Sequence, residues 1–207
     1  MRTALQEELY QLEQGVLAAG SEAIEAVATA VAALRLGSTE RTGAVFASNV
    51  RIDSLGAKAE RDVAQLLALQ APVAGDLRHA LALLYCNLHI QSIADYAVTI
   101  ARLVGVPAGA AAGGSGRYAG AEVVSDVVAH ALQALLTRDP GDIDRVLASA
   151  ASVDALARRL QEESGEDAVQ LAMVARSFQR VARHAIDIAE QARYLATGEF
   201  CRLVAAS

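Results

Sequence analysis

The sequence predicts an all-α fold made of two tandem three-helix bundles. Three observations carry this. Apolar residues recur at three-four spacing along almost the whole chain, as amphipathic helices require. Ala, Leu, Val and Arg dominate a 207-residue chain with only three Pro, a composition that favours helices over loop-rich folds. The two halves also repeat one another. Residues 28–34 (ATAVAAL) align with 129–135 (AHALQAL), and 52–55 (IDSL) with 153–156 (VDAL) at the same offset. Leu83, Gln91, Ala94, Ala97, Ile100 and Ala101 fall on Leu171, Gln179, Ala182, Ala185, Ile188 and Ala189.

The first helix is expected over about residues 3–36. Leu5, Leu9, Leu12, Val16, Ala19, Ala23, Val27, Ala30 and Leu34 form its apolar stripe. Gly37-Ser38 ends it, and Ser38 or Thr39 is placed to cap a second helix over about 40–69. Pro72 disfavours helix at Ala71 and Gly75 adds a break, so 70–76 is a turn. The third helix runs over about 77–104, with Leu83, Cys86, Ile90, Ile93, Ala97, Ile100 and Val104 as its core stripe. Residues 105–120, rich in Gly and Ala and containing Pro107, read as a linker. The fourth helix covers about 121–137 and ends at Asp139-Pro140-Gly141. The fifth covers about 142–163, and residues 164–166 break it. The sixth covers about 167–197 and stops at Gly198. Its stripe is Leu171, Val174, Phe178, Val181, Ala185, Ile188, Ala192 and Leu195. The expected domains are 1–104 as the first repeat, 105–120 as the linker, 121–200 as the second repeat and 201–207 as a C-terminal tail.

Composition narrows the function classes. A net charge of −6 disfavours nonspecific nucleic-acid binding. Cys86 and Cys201 give no disulfide framework and suit a reducing compartment. No segment reads as a membrane span: the longest charge-free run, 79–94, holds Asn87, His89, Gln91 and Ser92. Glu7, Glu8 and Glu13 stand where a signal peptide would need its apolar run. The expectation is a cytoplasmic protein that meets the membrane only through partners. No Ser-His-Asp signature, nucleotide loop or HExxH occurs, and the Gly-rich run at 105–120 lacks a following Lys-Ser/Thr. No catalytic residue is assigned.

Three stretches carry a family resemblance: LLALQAPVAGDLR at 66–78, IADYAVTIA at 93–101, and VARHAIDIAE at 181–190 followed by YLATGE at 194–199. Together they resemble the PhoU family, the accessory regulators of bacterial phosphate uptake and phosphate signalling. The resemblance implies a six-helix, two-repeat fold and a non-enzymatic regulator acting as a helical adaptor. The partners it implies are a sensor histidine kinase and the ATPase of a phosphate ABC transporter. A homodimer is compatible with it. The family has a Glu and an Asp four residues apart in each third helix, and in similar proteins these pairs hold surface metal clusters. Here the positions read Gln91 with Asp95, and Gln179 with Arg183. One of four carboxylates remains, and hard cations need several oxygen ligands, so no metal or other cofactor is expected. Three alternatives stay open. One is a metal-binding member using Asp95 and Asp187 with help from Asp53 and Asp154. Another is a diverged paralogue serving another transporter or kinase. The third is an unrelated helical oligomer.

The candidate partner-binding residues are Asp76, Arg78, Leu84, Leu88, Asp95, Arg176, Arg180 and Arg183. Arg176, Arg180 and Arg183 share the polar face of the sixth helix with Gln179, Asp187 and Glu190. That face is either solvated, with i,i+4 pairs such as Arg183–Asp187, or a docking face for an acidic partner or phosphoryl group. Leu84, Leu88 and Asp95 share the equivalent face of the third helix, which either another helix or a partner covers. Asp76 begins the third helix, where it suits the helix dipole and a cap; the resemblance adds a recognition surface formed with Arg78. Cys86 and His89 lie one turn apart, but no second Cys/His pair completes a zinc set. His184 beside Asp187 reads as a surface pair.

Overall fold

The computed structural model describes residues 2–104 and 116–203. Helix α1 spans Arg2–Leu36, α2 Thr42–Gln70, α3 Gly75–Arg102, α4 Val123–Thr137, α5 Pro140–Glu162 and α6 Ala168–Thr197. The all-α, two-repeat expectation holds, and every helix falls within a few residues of its predicted span. Residues 105–115 of the expected linker and 204–207 of the expected tail lie outside the described residues, while 116–120 form turns.

The helix ends differ in detail. Gly37 takes φ 61°, and the Ser38 amide donates to Ala33 O at 3.0 Å, closing α1 with a left-handed residue. Ser38 makes no side-chain cap; a 3-10 turn over Thr39–Arg41 leads into α2 instead. Asp76 does not cap α3 either, because the helix begins one residue before it. It lies in the first turn, where its charge complements the helix dipole, and accepts from Gln6 Nε2 at 3.1 Å. At α5 the sequence suggests only a break. Asp139 is in fact the cap, accepting from the Gly141 amide at 2.7 Å, with Pro140 as the first helical residue.

The α2–α3 turn falls where Pro72 and Gly75 place it, but its left-handed residues are Ala71 (φ 42°) and Ala74 (φ 49°), not a glycine. An L-residue there carries about 1–2 kcal/mol of steric cost, against which Gly adds unfolded-state entropy. Ala71→Gly is therefore expected to raise stability by up to about 1 kcal/mol. Chemical denaturation checks it, and a loss of stability would contradict the strain.

Within each repeat the three helices pack on one another. The repeats join where α3 lies on α6 and α1 on α4, so one continuous core runs through both. The predicted stripes of α1, α3 and α6 are buried throughout, apart from half-buried Leu5 and Leu195 at their ends. By length and composition α1 can cross a membrane, which amends the expectation that no segment does. Half of its most apolar window is nevertheless packed inside the bundle, where its stripe serves as core. At Gly20 α1 and α4 approach closely: a Cβ there would stand 2.5 Å from both Leu132 methyl carbons.

Candidate functional site: the groove between the two third helices

An open groove of about 810 Å³ runs along the α3–α6 junction. Tyr85 and His89 line it from α3; Arg180, Arg183, His184 and Asp187 line it from α6. Phe200 and Arg202, beyond α6, also reach it. The junction brings equivalent positions of the two repeats together. Tyr96 and His184, 88 residues apart like the aligned third-helix stripes, stack with ring centroids 5.8 Å apart.

His89 and His184 face each other, Nδ1 to Nδ1, at 3.2 Å. Asp187 Oδ2 stands 3.8 Å from each of these nitrogens. Burial pushes both imidazoles below the ordinary histidine value, despite the nearby Asp187 carboxylate, so both favour the neutral form. The other Asp187 oxygen accepts from Arg183 Nη2 at 2.6 Å, the i,i+4 pair expected from sequence. Arg183 also lies 3.6 Å from Glu190 Oε1, which accepts from the Leu203 amide at 2.9 Å.

Two sequence expectations need correction here. His184 is not a surface pair with Asp187 but a half-buried member of a three-residue cluster. The α6 polar face is not solvated along its length, because Glu190 and Gln191 are buried near its C-terminal end. Cys86 does point into the core as expected. Burial pushes its thiol far up, which keeps it protonated. His89 instead faces His184.

The remaining candidates separate into groups. Arg180 lines the groove, and Arg176 is exposed one turn before it. Leu84 is half-buried and packs on the core, so an intramolecular neighbour covers it. Leu88 stays 45% exposed, one turn from Tyr85 at 52%. Asp95 is exposed on α3. Arg78 lies over the Tyr194 ring, 5.6 Å from its centroid, and presses on Gly198 at the end of α6. It is thus at the groove's end, away from Asp76, which turns toward α1.

The PhoU domain family matches residues 16–104 and again 120–192. The chain belongs to the PhoU family. It is 28% identical to the phosphate-specific transport system accessory protein PhoU homolog of Zymomonas mobilis, over 95% of this chain and 88% of that one. It is 27% identical to PhoU homolog 2 of Mycobacterium tuberculosis, over 97% of this chain and all of that protein. Its fold matches the phosphate transport system regulatory protein PhoU of Streptococcus pneumoniae with a TM-score of 0.84, at 22% identity over 96% of this chain and all of that one. PhoU of Pseudomonas aeruginosa gives 0.82 at 24% identity, over 94% and 99%.

The PhoU metal-motif positions do not fit a carboxylate-bridged cluster here. Gln91 Nε2 donates to Glu60 Oε1 at 3.4 Å, and Gln179 Nε2 donates to Asp154 Oδ1 at 3.3 Å. At both positions an amide N–H donates to an acid of α2 or α5, and an amide offers a cation no anionic oxygen. Gly56 leaves room for Gln91: a Cβ there would come within 2.5 Å of its Nε2.

Proposed function

We propose that this chain regulates phosphate uptake as a non-enzymatic, cytoplasmic helical adaptor. On this reading, the α3–α6 face docks on a component of the phosphate transport system, its ATPase, or on the sensor histidine kinase that responds to phosphate. Membership of the PhoU family supports the phosphate-transport part, since its relatives are named as accessory proteins of that system. One observation supports the choice of face. Tyr85, exposed on α3, lines a groove whose α6 wall carries Arg180, and Leu88, also exposed, lies one turn further along α3. Apolar anchors rimmed by arginine suit a partner that presents an acidic helix or loop. Docking there shifts the partner's balance of states only as far as the adaptor binds one state better than the other.

The test is a pull-down from soluble and detergent-solubilised membrane fractions with wild type, Leu88→Glu and Arg180→Glu. Both side chains are exposed, so both variants should keep the helical circular-dichroism signal. Recovery of a transporter ATPase or histidine kinase by wild type, and its loss in a helical variant, is the expected result. Equal recovery by all three proteins would remove this face from the interface.

A further inference from the structure

We propose that His89, His184 and Asp187 form a binding site for a divalent transition-metal ion of the zinc class, joining the two repeats at the α3–α6 junction. None of its three ligands is a PhoU motif position: Gln91 and Gln179 turn toward α2 and α5, Arg183 only orients Asp187, and the site does not depend on the docking reading.

Geometry carries the argument. One donor atom from each of the three residues lies within 4.8 Å of the other two. In a tetrahedral zinc site with bonds of about 2.0–2.1 Å, neighbouring donors stand about 3.3 Å apart. The two Nδ1 atoms are 3.2 Å apart, and Asp187 Oδ2 is 3.8 Å from both. A small shift of the carboxylate closes the triangle. Arg183 restrains how that carboxylate turns. Arg183 occupies Oδ1, which leaves Oδ2 aimed at the histidines, and among the described residues Oδ2 accepts no hydrogen bond. A partner that fixes one oxygen and frees the other is a common support for a metal-bound carboxylate.

The donor chemistry sets the class of ion. Two imidazoles and one carboxylate suit Zn²⁺, Ni²⁺, Cu²⁺ or Fe²⁺ better than Mg²⁺ or Ca²⁺. Both histidines favour the neutral form a ligand needs. Without a metal, one Nδ1–H can donate to the other ring nitrogen, but then Oδ2 keeps no donor. Arg180 and Arg183 are the opposing charges. Arg183 is balanced by Asp187 and Glu190, and Arg180 is exposed at the groove wall. Three protein ligands leave a fourth position open toward the groove for water or a small anion.

The experiment uses the full chain, stripped with chelator and titrated with Zn²⁺ by calorimetry, with Co²⁺ absorption as a second readout. Expected are one ion per chain, a tetrahedral-type Co²⁺ spectrum, and a higher unfolding temperature with Zn²⁺. His184→Gln and Asp187→Asn should each weaken binding about tenfold or more and abolish the thermal shift. His130→Gln, whose ring bonds Ser149 elsewhere, should bind as wild type does. Cys201→Ser removes the exposed thiol as a competing ligand. If a histidine variant fails to fold, Asp187→Asn alone decides through the Co²⁺ spectrum. No binding at micromolar Zn²⁺, or binding unchanged in the folded variants, overturns the site.

Discussion

Leu132→Ala should destabilise the protein by about 2–5 kcal/mol, and Gly20→Ala by about 1–3 kcal/mol. The double variant should lose less than the sum. Leu132 is 7% exposed on α4, and its two methyl carbons press against the α1 backbone at Gly20. Truncating Leu132 opens a cavity between the repeats; adding a methyl at Gly20 overfills the same space. Each substitution supplies what the other lacks, so the coupling between them should favour the double variant by about 0.5–3 kcal/mol. Denaturant unfolding of the four proteins measures it. Strict additivity would mean that α1 and α4 do not meet through this pair. The contact matters beyond stability, because α1–α4 and α3–α6 are the two helix pairs that join the repeats, and the groove exists only while the second pair keeps its spacing.

The helices were legible because periodicity is a local signal. Each stripe needs only the three-four spacing of its own residues, and Phe178, Ile93 and Val16 are fully buried as that spacing requires. Helix ends were less legible. Ser38 and Asp76 look like caps by residue type, but a 3-10 turn and an earlier start to α3 took those positions away. The His89–His184 contact was not legible from either helix alone. It arises from the crossing of α3 and α6, one helix from each repeat. The 88-residue offset between the third helices held a usable clue, since it pairs Tyr96 with His184, whose rings stack. Glu190 shows the opposite failure. Its charge and helical position read as solvated, yet the chain beyond α6 folds back and the Leu203 amide satisfies it. The PhoU resemblance was carried by motif residues, whereas the groove depends on which side chains the helix crossing brings together.

Acid should unfold the wild type more steeply than Glu13→Gln, and at neutral pH that variant should be about 1–3 kcal/mol less stable. Glu13 is an α1 carboxylate bridging both repeats, 3.6 Å from His79 Nε2 on α3 and 3.1 Å from Arg138 Nη2 at the end of α4. Its side chain is only 15% exposed. His79, 3.6 Å away, with Arg138 beside it, holds the Glu13 carboxyl below the ordinary value of 4.5 against the opposing effect of burial. The folded state therefore favours the ionised form. Its contribution is complete above about pH 4.5 and is lost as pH falls through the depressed folded value. The substituted amide cannot titrate, so the variant's unfolding temperature should change less over that range. Arg138→Gly separates the ion pair from the backbone. Arg138 sits at φ 58°, where glycine is the unstrained residue. This variant loses the pair but relieves the turn, so it should be less destabilised than Arg138→Ala, which loses the pair and keeps the left-handed strain. Equal acid sensitivity in wild type and Glu13→Gln would show that Glu13 does not carry the bridge between the repeats.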